Sequence, residues 1–191
     1  MKTISKSLDL NRLFYLVKES ELFWIFSFSI LTAISAQVSI PIKPVPITLQ
    51  TMMVLLAGAF LGAKNGAYSQ LLYLILGAIG LPVFAQTADA TYGFLRLFGP
   101  TGGYLLAFPL AAFLVGYFTQ KSQKYFIVVL SMFASEILVI FIGTFYLYVT
   151  YLYKINEAIT AGAAIFSVWM VMKVLIAATI YFIVSKKHQK T

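Results

Sequence analysis

Cysteine is absent from the chain and histidine occurs once, as His188 in the C-terminal tail. Without thiols there is no disulfide, no thiolate nucleophile and no cysteine metal site. One tail histidine cannot build an imidazole metal cluster or serve a Ser-His triad. Acidic residues are scarce too, six in 191, which leaves too few carboxylates at membrane depth for a paired-acid or metal mechanism. No H-E-x-x-H and no Walker glycine loop occurs, so any energy from ATP must enter through another chain. These shortages exclude a membrane protease or a lipid phosphotransferase. The reading is a protein that is not an enzyme and carries no cofactor.

What is abundant is apolar surface. The chain is 61% hydrophobic and only 10% charged, with a mean hydropathy of +0.90, far from the balance of a soluble domain. It reads as an all-α integral membrane protein forming a single domain over residues 1–191. Six apolar runs are long enough, or nearly so, to cross about 30 Å of hydrocarbon as helices: residues 22–40, 47–63, 66–81, 99–118, 125–151 and 166–185. The second and third are short and divided by the basic turn Ala63-Lys64-Asn65-Gly66. Residues 1–20, with four basic side chains between apolar ones, read as an amphipathic segment on the cytoplasmic surface and not as a signal peptide. An N-in, C-in arrangement puts Lys2, Lys6, Arg12, Lys18, Lys64, Lys121, Lys124, Lys186, Lys187 and Lys190 on the cytoplasmic side and only Lys43, Arg96 and Lys154 outside. The net charge of +8 therefore reflects topology and contact with an anionic lipid bilayer, with no basic domain for nucleic acid.

Gly58, Gly62 and Gly66 recur every four residues and read as a face for close helix packing. Polar residues gather at the outer ends of the second, fourth and sixth runs: Pro44 to Thr51 with Thr48 and Gln50, Gly99 to Tyr104, and Phe166 to Lys173. In the stretch Gly99-Pro-Thr-Gly-Gly-Tyr-Leu105, Pro100 suits a first helical turn and Thr101 a cap. Gly102 and Gly103 admit a ligand or another chain close to free backbone N–H groups. Three positive helix ends on one face favour an external molecule carrying an anion.

Lys173 falls roughly 10 Å below the outer end of its run and Glu136 roughly 16 Å from the cytoplasmic end of its own, so the two can meet. They form either a structural ion pair or a polar pocket in which Lys173 binds ligand. Arg96, near Asp89 and Tyr92 in an outer loop, is either a solvated charge or a lid residue whose planar fork pairs with a carboxylate. Gln37, Gln50 and Gln70 suit a neutral amide or urea, or else satisfy irregular backbone, the second being favoured for Gln70. Tyr104, Tyr146, Phe166 and Trp169 lie on the helices that carry the polar positions and suit the apolar wall of a small-ligand site. A protein that only packs or docks would leave these converging polar motifs unexplained.

Four stretches in order, Pro44-Val-Pro-Ile-Thr-Leu-Gln-Thr51, Leu61-Gly-Ala-Lys-Asn-Gly66, Tyr73 through Gly77-Ala-Ile-Gly-Leu-Pro-Val-Phe-Ala85, and the Gly99 motif, resemble the BioY family. These are biotin-specific S components of energy-coupling-factor (ECF) importers. The resemblance implies a six-helix S-component bundle with an outward pocket capped by two loops, binding a vitamin through its carboxylate and ureido ring. It also implies a transmembrane coupling (T) subunit and two cytoplasmic ATPases, the S component tipping in the membrane to release its load. Three departures are visible. The family's Asp three residues before the lysine is Met170 here, and Glu136 is a candidate to replace it. The alanine pair that docks on the coupling subunit is reduced to Ser29-x-x-x-Ala33. The glycine-rich stretch before Gly99 is thinned to residues 86–93. Another carboxylated vitamin of lipoyl-like type, or a stand-alone carrier using Glu136 for proton coupling, are the alternatives.

Overall fold

The structure is a computed structural model, and it describes residues 20–86, 92–152, 154, 156, 159–160 and 166–188. The amphipathic segment expected over residues 1–20 lies almost wholly outside the described residues, as does Asp89. The elements are α1 (Glu21–Gln37), β1 (Ser39–Ile40), β2 (Ile47–Thr48), α2 (Gln50–Ala78), a 3₁₀ turn (Gly93–Phe98), α3 (Gly102–Lys121), α4 (Tyr125–Leu147) continued by a π turn (Tyr148–Leu152), and α5 (Phe166–His188). Among the described residues three helices are long and apolar enough to cross a membrane, Gly102–Lys121, Tyr125–Tyr151 and Trp169–Lys186. α1 is apolar but has 17 residues.

α2 runs 29 residues but is broken at Gly62, whose φ of 78° and ψ of −177° lie where a side chain is not tolerated. The two arms fold back on each other. A Cβ on Gly66 would lie 2.8 Å from the Gly58 Cα, whereas residues eight apart on a straight helix are separated by about 12 Å. Gln50 Nε2 likewise donates to the Tyr73 hydroxyl at 2.5 Å, a contact that a continuous helix would hold about 34 Å apart. The reversal therefore sits at Gly62, before the basic turn expected at residues 63–66. Asn65-Gly66 carries the stronger turn signal, but Gly66 is needed inside the second arm, where its missing Cβ allows the arms to touch. Freed by the break, the Ala63 N–H donates to the Gln120 side-chain carbonyl of α3 at 3.3 Å.

Pro41, Pro44 and Pro46 keep the segment after α1 out of a helix. It forms a short antiparallel pair, Ser39 opposite Thr48 and Ile40 opposite Ile47, which the apolar periodicity did not reveal. Two buried clusters fill the bundle. One gathers Val45, Tyr73, Tyr104, Phe108 and Val139; the other gathers Phe28, Leu55, Met132, Val174 and Tyr181.

Gly62→Ala should lower the stability of the purified protein by about 1–3 kcal/mol, through the forbidden backbone region and overlap with Gln120. The expected sign is an earlier unfolding transition in detergent; an unchanged transition would contradict the reversal at this position.

Candidate small-molecule site

A cavity of about 40 Å³ lies at the end of the bundle where the loops after α1 and α2 meet the start of α3. Its wall draws on Val45, Pro46, Thr48, Gln50 and Thr51, on Phe84 and Ala85, on Arg96, and on Thr101, Tyr104, Phe108 and Val139. That volume holds a few waters at most. Pockets that hold drug-sized ligands are typically several hundred Å³, so this cavity is far smaller than such a pocket.

Arg96 is buried although it sits in a 3₁₀ turn whose neighbours Leu95 and Phe98 are exposed. Its Nη2 donates to the Ala85 carbonyl at 2.5 Å, which fixes the guanidinium in the cavity wall. Thr101 occupies the N-cap position of α3, yet its side chain caps nothing. Its hydroxyl is buried without a hydrogen-bond partner among the described residues, and the residue lines the cavity. Sequence reasoning gave Thr101 a capping role and missed this one.

Beneath the cavity lies the ion pair. Lys173 Nζ stands 2.7 Å from Glu136 Oε1 and donates to the Thr51 hydroxyl at 2.5 Å. The Thr51 hydroxyl in turn reaches the same Glu136 oxygen at 2.7 Å. Glu136 Oε2 is buried without a partner among the described residues. Neither Glu136 nor Lys173 lines the cavity; Thr51 does, and is the link between the two. The depths estimated from helix rise thus brought the right residues together.

The other candidates divide. Thr48, Gln50 and Tyr104 line the cavity, and the Tyr104 hydroxyl is 3.2 Å from that of Thr144. Gly102 and Gly103 serve packing in this structure. A Cβ on Gly102 would overlap the Leu97 carbonyl, and one on Gly103 the Tyr146 side chain. Tyr146 therefore lies against Gly103 and outside the cavity wall, and Tyr92 is 71% exposed. The Phe166 side chain lies outside the described residues. Ser29 is fully buried and Ala33 is partly buried against the first cluster, so within this chain the small pair packs on the bundle; small residues suit close packing. Gln70 bonds Thr32 of α1 at 3.2 Å and Ser69 at 3.1 Å, a helix-to-helix staple. Gln37 reaches the Ala33 and Pro82 carbonyls. Of the three helix starts expected to converge, those of α2 and α3 meet at the cavity.

Fold and cavity together define a helical integral membrane protein with a polar-edged cavity at one end of its bundle. The chain belongs to the BioY family, whose family model matches residues 6–190. It is 38% identical over 153 residues to the biotin transporter BioY of Thermotoga maritima, a match spanning 80% of this chain and 88% of that protein. It is 48% identical over 100 residues to the probable biotin transporter BioY of Pyrococcus horikoshii, covering 52% of this chain and 60% of that one. The crystal structure of the S-component for biotin from an ECF-type ABC transporter superposes with a TM-score of 0.80 at 29% identity, over 88% of this chain and 92% of the other. The family consists of membrane transporters, not enzymes.

Because both charges of the ion pair are buried, removing one strands the other. Glu136→Gln or Lys173→Met alone should destabilise the ligand-free protein by about 3–5 kcal/mol, and the double variant Glu136→Gln/Lys173→Met should recover most of it. Thermal unfolding of the three purified variants checks this; a double variant as unstable as the sum of the singles would contradict it.

Proposed function

We propose that this chain is the substrate-binding S component of an ECF-type importer, that it captures biotin outside the cell, and that it passes the vitamin on through a transmembrane coupling subunit with two cytoplasmic ATPases. The likeness to a solved S-component for biotin along most of the chain supports the role. The Lys and Arg distribution supports an orientation with both termini inside. Counting the two arms of α2 separately gives six membrane segments, the cavity then opening outward.

The observation that carries the reading is a cavity with two kinds of polar group in an apolar wall. Arg96, held by the Ala85 carbonyl, and the unpartnered Thr101 hydroxyl offer donors to a carboxylate, aided by the positive end of α3. Thr51 leads to Glu136 and Lys173, an acceptor and a donor of the kind a ureido ring needs. In this reading the unpartnered Glu136 Oε2 stands in from α4 for the carboxylate that Met170 does not supply from α5. Phe84, Tyr104 and Phe108 supply apolar wall. A lipoyl-like vitamin is the second reading, favoured by one observation: Lys173 is already engaged by Glu136 and Thr51, which suits a ligand with no ureido ring.

Calorimetric titration of the detergent-purified protein decides between them. Biotin should bind one-to-one and more tightly than lipoate, and Arg96→Ala should weaken it roughly 10- to 100-fold, as loss of a charged hydrogen bond does. The methyl ester of biotin should lose far less on the same substitution. Tight lipoate binding without biotin binding would move the assignment to the second reading.

A further inference from the structure

Two loops line the cavity, and the Tyr73 hydroxyl is a buried link between them, beside the exposed Gln37–Pro82 contact at their edge. Gln50, at the first turn of α2, accepts from the Thr48 hydroxyl at 2.9 Å through its carbonyl oxygen and donates through Nε2 to Tyr73 Oη at 2.5 Å. The Gln50 backbone N–H donates back to Thr48 Oγ1 at 3.2 Å, so Thr48 and Gln50 are locked together. Tyr73, near the far end of the second arm, passes its own proton to the Val83 carbonyl at 3.2 Å. Two residues on, the Ala85 carbonyl holds Arg96. The chain of contacts therefore runs from the proline loop after α1, through Gln50 and Tyr73, to the loop after α2 and so to the guanidinium.

The Tyr73 ring is set for this duty. It is fully buried, meets Phe84 edge-on at 5.4 Å and stacks on Phe108 at 6.3 Å. Phe84 in turn fits over Gly77, where any Cβ would overlap its ring. A phenylalanine would keep these ring contacts and lose only the link. Tyr73 itself does not line the cavity, so its hydroxyl acts through others.

We propose that Tyr73 is a positioning residue: its hydroxyl ties the loop of Thr48 to the loop of Val83 and Ala85, so that both walls and the Arg96 guanidinium close on the ligand as one unit. The proposal rests on the reading of this cavity as the ligand site, but the tether itself exists without ligand and is testable without it. Cutting the link leaves the loops joined only by the Gln37–Pro82 contact and apolar packing, which loosens both and speeds escape of a bound molecule more than it slows entry.

The test uses the full-length protein in detergent, as wild type, Tyr73→Phe and Gln50→Leu, in two measurements. Hydrogen exchange without ligand reads the loops, where the Ile42 N–H is bonded to the Ile40 carbonyl and the Val83 N–H to the Leu81 carbonyl. Tyr73→Phe should accelerate exchange in residues 38–49 and 79–86 together, and Gln50→Leu should do the same. Stopped-flow kinetics with biotin should then show release about tenfold faster with entry changed less than twofold, and the double variant no worse than the worse single. Unchanged exchange in either loop, or additive effects of the two substitutions on release, overturns the tether. Faster exchange in both loops combined with no biotin binding by the wild type supports the tether and overturns the biotin reading, so the two fail separately.

Discussion

The constraint on which the rest of the structure depends is the presence of an ammonium and a carboxylate in the middle of an apolar bundle. Neither charge is stable there alone, and their mutual attraction offsets the loss of hydration only at contact distance with further hydrogen bonds. The 2.7 Å pair of Lys173 and Glu136 meets that condition, and Thr51 supplies the third partner. Three helices are thereby brought into register: α5 through the lysine, α4 through the glutamate and the first turn of α2 through the threonine. The pair also marks the boundary between the two apolar clusters, Val139 above it belonging to one and Met132 and Val174 below it to the other. A cavity placed directly over such a centre has a polar floor inside an apolar wall, which is the usual make-up of a small-ligand site.

Much of this was legible in the sequence because it follows from counting. Apolar run lengths gave the membrane class and most helix positions, and helix rise alone put Glu136 and Lys173 at similar depth. Arg96 stood out as a charge beside a glycine motif, and it is buried in the cavity wall and not solvated. What stayed hidden depended on contacts between distant residues. The local turn signal at Asn65-Gly66 points to the wrong glycine: the chain reverses at Gly62, and Gly66 is where the arms touch. Thr101 has the right residue type for a cap, and only the surroundings reveal a buried hydroxyl that caps nothing. Ser29 and Ala33 fit a docking pair by spacing, but spacing does not say which side of a helix faces inward. The Tyr73 link joins residues 23 apart within α2, so it becomes visible only once the two arms are known to be antiparallel.

Gly102 and Gly103 show how one motif answers two demands. Glycines at a helix start leave backbone donors open to a ligand, and they also let neighbouring chain come close. In this structure the second demand is met at both residues, by the Leu97 carbonyl and by Tyr146. Thr101, one residue earlier, lines the cavity with its hydroxyl unpartnered among the described residues.

The reciprocal fit of α3 and α4 has a consequence for how the protein discriminates among molecules. Tyr146 of α4 lies over Gly103 of α3, and Tyr104 of α3 lies over Gly143 of α4, so each helix inserts a ring where the other has no side chain. Sliding or rotating one helix would drive a ring into backbone, and the pair behaves as a stiff frame. Tyr104, Phe108 and Val139 belong to that frame, whereas Thr48, Phe84 and Ala85 hang on loops. One wall of the cavity thus stands on closely packed helices and the other on loops. On the proposed reading, the helical wall sets the shape a molecule must match, while the loop side carries the carboxylate donor Arg96 and governs how long the molecule stays.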